Sequence, residues 1–267
     1  LYEVREIYDY PAWDKFVEAS PQGTLFSCAK WCYLFMDKFT VYGCYKGAEL
    51  QGGIIGFITP DGFISGGYPC TQFQGIILKP GLENKYSITE ELIKALPGKA
   101  TVINSYYSPD IRPMLWESWK PIVRYTYLIR YPDLSRLEKD TRYDILHNSD
   151  EVKEADLFSF WKLYEVTFKR KGLPVPVSFE WMTRFYTAYE PTIKMTEHNG
   201  ALIVKDSKRA YYLFGCSDGS RSSAKVVWET IKDCAEIDTV GANSKEIALY
   251  KRGFGGQLTP YLGATNV

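Results

Sequence analysis

The sequence predicts a mixed α/β fold, and three observations carry that prediction. Strand-like and helix-like segments alternate along the chain, the hydrophobic period switching between two and 3.6. The two halves end in the same order of elements. Helix 88–96, strand 100–106, a Ser108-Pro109-capped helix and the aromatic strand 123–131 match helix 223–235, strand 237–240, an Asn243-Ser244-capped helix and a closing strand. Finally, 267 residues at 45% hydrophobic are enough to bury a large core, in one domain or two.

In the first half, residues 11–19 read as a short helix with Trp13, Phe16 and Val17 on one face. The turn Ser20-Pro-Gln-Gly23 follows, then a helix over 28–38 carrying Trp31, Leu34 and Phe35 inward. Strands at 40–45 and 50–58 flank the hairpin-like Lys46-Gly47. Further strands fall at 63–67 and 74–78, ahead of the repeated elements.

In the second half, 135–145 reads as a basic-flanked helix and 151–171 as a long amphipathic one. The latter ends at Gly172 because Pro174 and Pro176 forbid continuation. Ser178 caps another helix bearing Trp181, Phe185 and Tyr189. Strands 192–197 and 201–205 bracket Asn199-Gly200, a type I′ hairpin signal, and 210–216 is a buried strand. The last unit is a strand ending at Val240, a helix with Ile247, Leu249 and Tyr250, and a stop at Gly253, a residue able to take positive φ.

The run Tyr250-Lys251-Arg252-Gly253-Phe254-Gly255-Gly256, preceded by Gly241-Ala242-Asn243, resembles the closing motif of the FemABX-like acyltransferases. That motif usually reads Phe-Lys-x-Gly-Phe-Gly; here Tyr250 replaces the Phe and keeps the aromatic. The opening Gly23-Thr-Leu-Phe-Ser27 with Trp31 is similar to the start of the same fold. The resemblance implies two tandem GNAT-like (N-acetyltransferase-like) domains, expected at 1–134 and 135–267. No segment sustains heptads, so the coiled-coil arm of the peptidoglycan-bridge members is absent from the expectation.

Composition excludes several classes. Lysine plus arginine and aspartate plus glutamate are both 32, and neither half is strongly basic, so a dedicated DNA binder is not expected. Six cysteines in a core-rich chain read as reduced thiols of a cytoplasmic protein rather than as disulfide staples. No apolar run is long enough to span a bilayer. No metal site is expected: Cys28 and Cys32 share a helix face, but His147 and His198 offer no second ligand pair. The same two histidines make a Cys- or Ser-dependent hydrolase a poor alternative.

Acyl transfer to an amine needs both substrates held in line and a stabilised oxyanion, with no protein nucleophile. The resemblance places Lys251 and Tyr250 at the reacting groups; the plain reading of Lys251 is a helix C-terminal charge. Ser217–Ser223 joins a strand to a helix, where free N–H groups favour an anion, so Arg221 and Ser223 are donor-side candidates. The loop lacks the Arg/Gln-x-x-Gly-x-Gly/Ala pattern of coenzyme A binders. Lys38, Arg136 and Asn243 are acceptor-side candidates, although the triplet Arg136, Lys139 and Arg142 also reads as a solvated face. The donor implied is an acyl-coenzyme A-type thioester or an aminoacyl-tRNA. The acceptor implied is a small molecule or a saccharide-linked, muropeptide-like precursor. A catalytically degenerate scaffold of the same fold is the alternative.

Overall fold

A computed structural model describes all residues, 1–267, and they fall into two units. The first comprises residues 1–124 and 260–267, the second 125–259. In chain order the first unit holds β1 (Glu3–Glu6), α1 (Tyr10–Ala19), α2 (Ala29–Cys32), β2 (Phe39–Lys46), β3 (Glu49–Thr59), β4 (Gly62–Ser65), β5 (Ile76–Leu78), α3 (Tyr86–Lys94), β6 (Ala100–Ile103) and α4 (Arg112–Trp116). β7 (Lys120–Arg130) carries the chain into the second unit. There follow α5 (Lys139–His147), β8 (Lys153–Glu154), α6 (Leu157–Lys171), α7 (Phe179–Tyr189), β9 (Thr192–Met195), β10 (Asn199–Lys205), β11 (Ala210–Ser217), α8 (Ala224–Ile231), β12 (Glu236–Asp238), α9 (Lys245–Arg252) and β13 (Gln257–Thr265). The architecture is mixed α/β, as the alternating pattern predicts.

In the first unit β1, β2, β3, β4, β6 and the end of β13 lie side by side, with β5 on the far half of β3. Only β4 and β6 run parallel. Successive residues of β3 point to opposite faces. Ile55 and Phe57 join Trp13 and Val17 of α1 and Cys32 of α2, whereas Ile54 joins Ile88 and Leu92 of α3 and Met114 of α4. The sheet is thereby covered on both sides. The helix expected over 28–38 is shorter: it tightens after Cys32, and Met36 takes a left-handed φ of 58° that ends it.

The second unit has the order β7, β12, β11, β10, β9, β8, with β11 and β12 parallel and the other pairs antiparallel. α5 and α8 cover one face through Ile145, Val226, Val227 and Ile231. α6 and α7 cover the other, where Tyr164, Trp181 and Phe185 ring Phe214 of β11.

Several local expectations shift for identifiable reasons. The long helix begins at Leu157 rather than 151, because Asp156 caps it by accepting the Ser159 N–H at 2.8 Å and β8 pairs with β9 just before. Asn199-Gly200 is not the hairpin turn. Both residues are in β10, Thr196 to His198 make the turn, and Gly200 is small because Cys216 and Phe160 press on it. Gly253 has an ordinary helical φ of −53°; its missing side chain instead admits Thr141, whose Oγ1 would lie 2.2 Å from an added Cβ. The division expected at 134/135 falls earlier, at 124/125, and the last eight residues return to the first unit. The reason lies in two strands: the end of β7 pairs with β12, while the end of β13 pairs with β6.

The end of β11 is braced by α6. Thr167 Oγ1 accepts the Ser217 N–H at 2.7 Å and lies 2.8 and 3.0 Å from the carbonyls of Leu163 and Ser217. Thr167→Val keeps the shape and strands that N–H, so it should lower unfolding stability by about 1–3 kcal/mol in urea titration. A change within about 0.3 kcal/mol would show that the brace is dispensable.

Candidate active site

The parallel ladder between β11 and β12 lasts only two residue pairs, Ala210 with Ile237 and Tyr211 with Asp238. Past that point the chain after β12 stays with β7: the Thr239 N–H donates to the Tyr127 carbonyl and the Ala242 N–H to that of Tyr125. β11 continues to Ser217 without it, and a cavity of about 410 Å³ opens beside its free edge. The walls are β11 (Tyr212, Leu213 and Gly215 to Ser217), Ser223 ahead of α8, the inner side of α9 (Glu246, Ile247, Tyr250, Lys251) and the end of α6 (Thr167, Arg170, Lys171). Every one of these residues belongs to the second unit.

The parting of the strands leaves carbonyls without partners, and one side chain takes them up. Val240 and Gly241 both have left-handed backbones, φ 55° and 78°, so three successive carbonyls curl toward one point. The buried Lys251 ammonium sits there and donates to the carbonyls of Thr239, Val240 (2.7 Å) and Gly241 (2.6 Å). An ammonium has three N–H donors, so all of them are used. A positive φ at a β-branched residue is strained, and these bonds are what hold Val240 in it.

Asp238, at the end of β12, is fully buried and supplies the nearby negative charge. Its Oδ1 accepts from the Thr126 hydroxyl at 2.5 Å and the Val240 N–H at 2.8 Å, while Oδ2 has no partner. Burial raises the pKa of Asp238 and lowers that of Lys251 to about 8, with Asp238 opposing the latter shift.

Above the ammonium stands a pair of tyrosines. The Tyr250 hydroxyl is 2.8 Å from the Ser223 hydroxyl and bonded to Tyr212, whose ring centroid is 6.0 Å from Lys251 Nζ. Desolvation pushes Tyr250 up to about 12, so its hydroxyl keeps its proton at neutral pH. Gly215 makes room for the Tyr212 hydroxyl, which would lie 2.2 Å from a Cβ there.

Of the residues expected from the sequence, the cavity therefore brings together Lys251, Tyr250 and Ser223. Arg221 does not line it; its guanidinium is paired with Asp150. Asn243 accepts the Tyr125 N–H at 2.8 Å and so ties the loop after β12 to β7. Arg136 is exposed and lines a separate hollow of about 200 Å³ beside Arg130 and Gly255. Lys38 is exposed on the first unit. His198 Nδ1 lies 2.8 Å from Asp218 Oδ2, outside the cavity lining. All six cysteines are free thiols. Tyr212, Asp238 and Glu246 were not singled out as site residues from the sequence, where Arg170 and Lys171 read only as the basic end of a helix. Asp238 alone had left a signal, as the one acid inside the strand expected at 237–240.

The comparison with solved structures identifies the fold of this open mixed sheet, whose parallel strands β11 and β12 part after a short ladder. FemX aligns with a TM-score of 0.71 over 97% of this chain and 96% of its own, at 12% identity. A GNAT-family acetyltransferase from Colwellia psychrerythraea aligns at 0.54, over 98% of each chain and at 11% identity. A tandem GNAT protein from the clavulanic acid biosynthesis pathway gives 0.52 over 99% and 98%, also at 11%. The chain thus has the tandem GNAT fold in its FemABX-like form. No protein-family model matches the sequence, and no curated protein does. No helix is long and apolar enough to cross a membrane.

The burial of Lys251 has a spectroscopic consequence. In protein labelled with ¹³C-lysine, one ε-carbon resonance should titrate with a midpoint near 8, and Lys251→Met should abolish it. A set of lysines that all titrate near their ordinary value, about 10.4, would contradict the buried ammonium.

Proposed function

We propose that this protein is an N-acyltransferase that carries an acyl or aminoacyl group from an activated donor to an amine. The observation that supports it best is the cavity beside the free edge of β11, with a protonated tyrosine hydroxyl and a buried ammonium in one wall. The reaction asks little covalent chemistry of the protein. The amine nitrogen attacks the acyl carbon and the carbon–sulfur or carbon–oxygen bond to the donor breaks. The leaving group takes up a proton as the amine loses one. Tyr250 is the group suited to give that proton, since its hydroxyl is protonated and Ser223 and Tyr212 fix it. Glu246, the carboxylate in the same wall, is suited to receive the amine's.

Lys251 has a different part in this scheme from a bare oxyanion clamp. With its three N–H groups on carbonyls, it acts as a positioning residue that keeps the loop after β12 off the edge of β11. Its charge still favours negative charge developing in the cavity. The family resemblance and the fold support a donor of the acyl-coenzyme A or aminoacyl-tRNA type. They support an acceptor amine on a small or saccharide-linked cell-envelope precursor.

Tyr250→Phe removes one oxygen and leaves the wall in place. With acetyl-coenzyme A or an aminoacyl-tRNA as donor, it should cut kcat about 100-fold with little change in donor KM. Lys251→Ala should lower both kcat and stability, since it strands three buried carbonyls. A Tyr250→Phe enzyme as fast as wild type would overturn the assignment. Wild-type protein inert toward every donor would favour the scaffold reading.

A further inference from the structure

We infer that Arg170 and Lys171, at the end of α6, bind a phosphate group of the donor. This rests on the reading of the cavity as a donor site. Both residues line that cavity, both are exposed, and neither makes an ion pair within the chain, whereas Arg221 across the loop is neutralised by Asp150. The cavity wall thus holds two cations outside any ion pair, with Glu246 the one carboxylate among its lining residues.

The Arg170 guanidinium lies against the loop between β11 and α8: Gly219 there has a φ of 85°, and a Cβ added to it would lie 2.9 Å from the guanidinium carbon. Asp218, next to Gly219 in the loop, has its two oxygens turned to Ser220 and His198 and makes no ion pair with Arg170. A planar guanidinium beside an ammonium fits the oxygens of a phosphate: the fork takes two and the point charge a third. α6 stands on a different wall from Tyr250 on α9, which places the phosphate away from the acyl group and makes the contact one of binding rather than of chemistry. Both donor types offer such a phosphate, coenzyme A in its nucleotide and an aminoacyl-tRNA in its 3′-terminal backbone.

The test compares dissociation constants for coenzyme A, for pantetheine, which lacks the nucleotide phosphates, and for an RNA hairpin ending in CCA. Arg170→Ala/Lys171→Ala should weaken coenzyme A or the hairpin at least tenfold, the affected probe naming the source, and leave pantetheine unchanged. Lys169→Ala is the control, because that neighbouring cation lies outside the cavity lining and should change nothing beyond twofold. The inference is overturned if neither probe weakens, if Lys169→Ala weakens them equally, or if wild type binds neither at millimolar concentration. Tyr250→Phe should leave these constants unchanged while slowing turnover. Failure of the phosphate contact and failure of the transfer chemistry are therefore read from different variants.

Discussion

The candidate site depends on one buried cation. Where β12 leaves β11, the sheet would otherwise hold three carbonyls with no donor, an arrangement that costs about 1–3 kcal/mol for each group left dry. Lys251, reaching from α9, takes all three. Asp238 beneath it supplies the opposite charge that a buried ammonium needs. The result is a sheet whose central ladder stops after two pairs without collapsing, and a cavity that persists beside the exposed edge of β11. Other contacts reinforce it: Asn243 holds the loop to β7, and Thr167 holds the end of β11 to α6.

This division of labour explains the local composition. The strained backbone at Val240 and Gly241 is what points three carbonyls at one atom, so strain and cation are two halves of one device. The tyrosine before the lysine then falls one residue further round α9, where its hydroxyl meets Ser223 and Tyr212. Both residues line the cavity, but the Lys251 ammonium turns to the loop carbonyls while the Tyr250 hydroxyl turns to Ser223. The proposed proton donor, Tyr250, and the residue that binds the loop carbonyls, Lys251, are thus adjacent in sequence and separate in contacts.

Much of the fold was legible in the sequence because hydrophobic period and cap residues are local signals. Strands such as β2, β3 and β11 and helices such as α1 and α7 fall within a residue or two of their expected places. Misplaced features were those decided by distant partners. Asn199-Gly200 has the chemistry of a turn, yet its backbone is drawn into β10 by pairing with Ser217 and Cys216. Gly253 looked like a left-handed stop and is a contact point for Thr141. The start of α6 was lost because two residues before it pair with β9, a link that no local pattern announces.

Of the site, the closing motif pointed to Tyr250 and Lys251, and the loop chemistry to Ser223. Arg221 lies outside the cavity lining and pairs with Asp150, seventy-one positions away, a partner that the anion-favouring loop does not announce. Arg170 and Lys171 were hidden by the ordinary meaning of a basic helix end. The central claim, that the Lys251 ammonium holds the loop after β12 in its left-handed path, is tested most directly by a crystal structure of Lys251→Met. The account predicts that Val240 returns to negative φ and that the loop moves toward the edge of β11, narrowing the cavity. A loop unchanged at Val240 and Gly241 would contradict it.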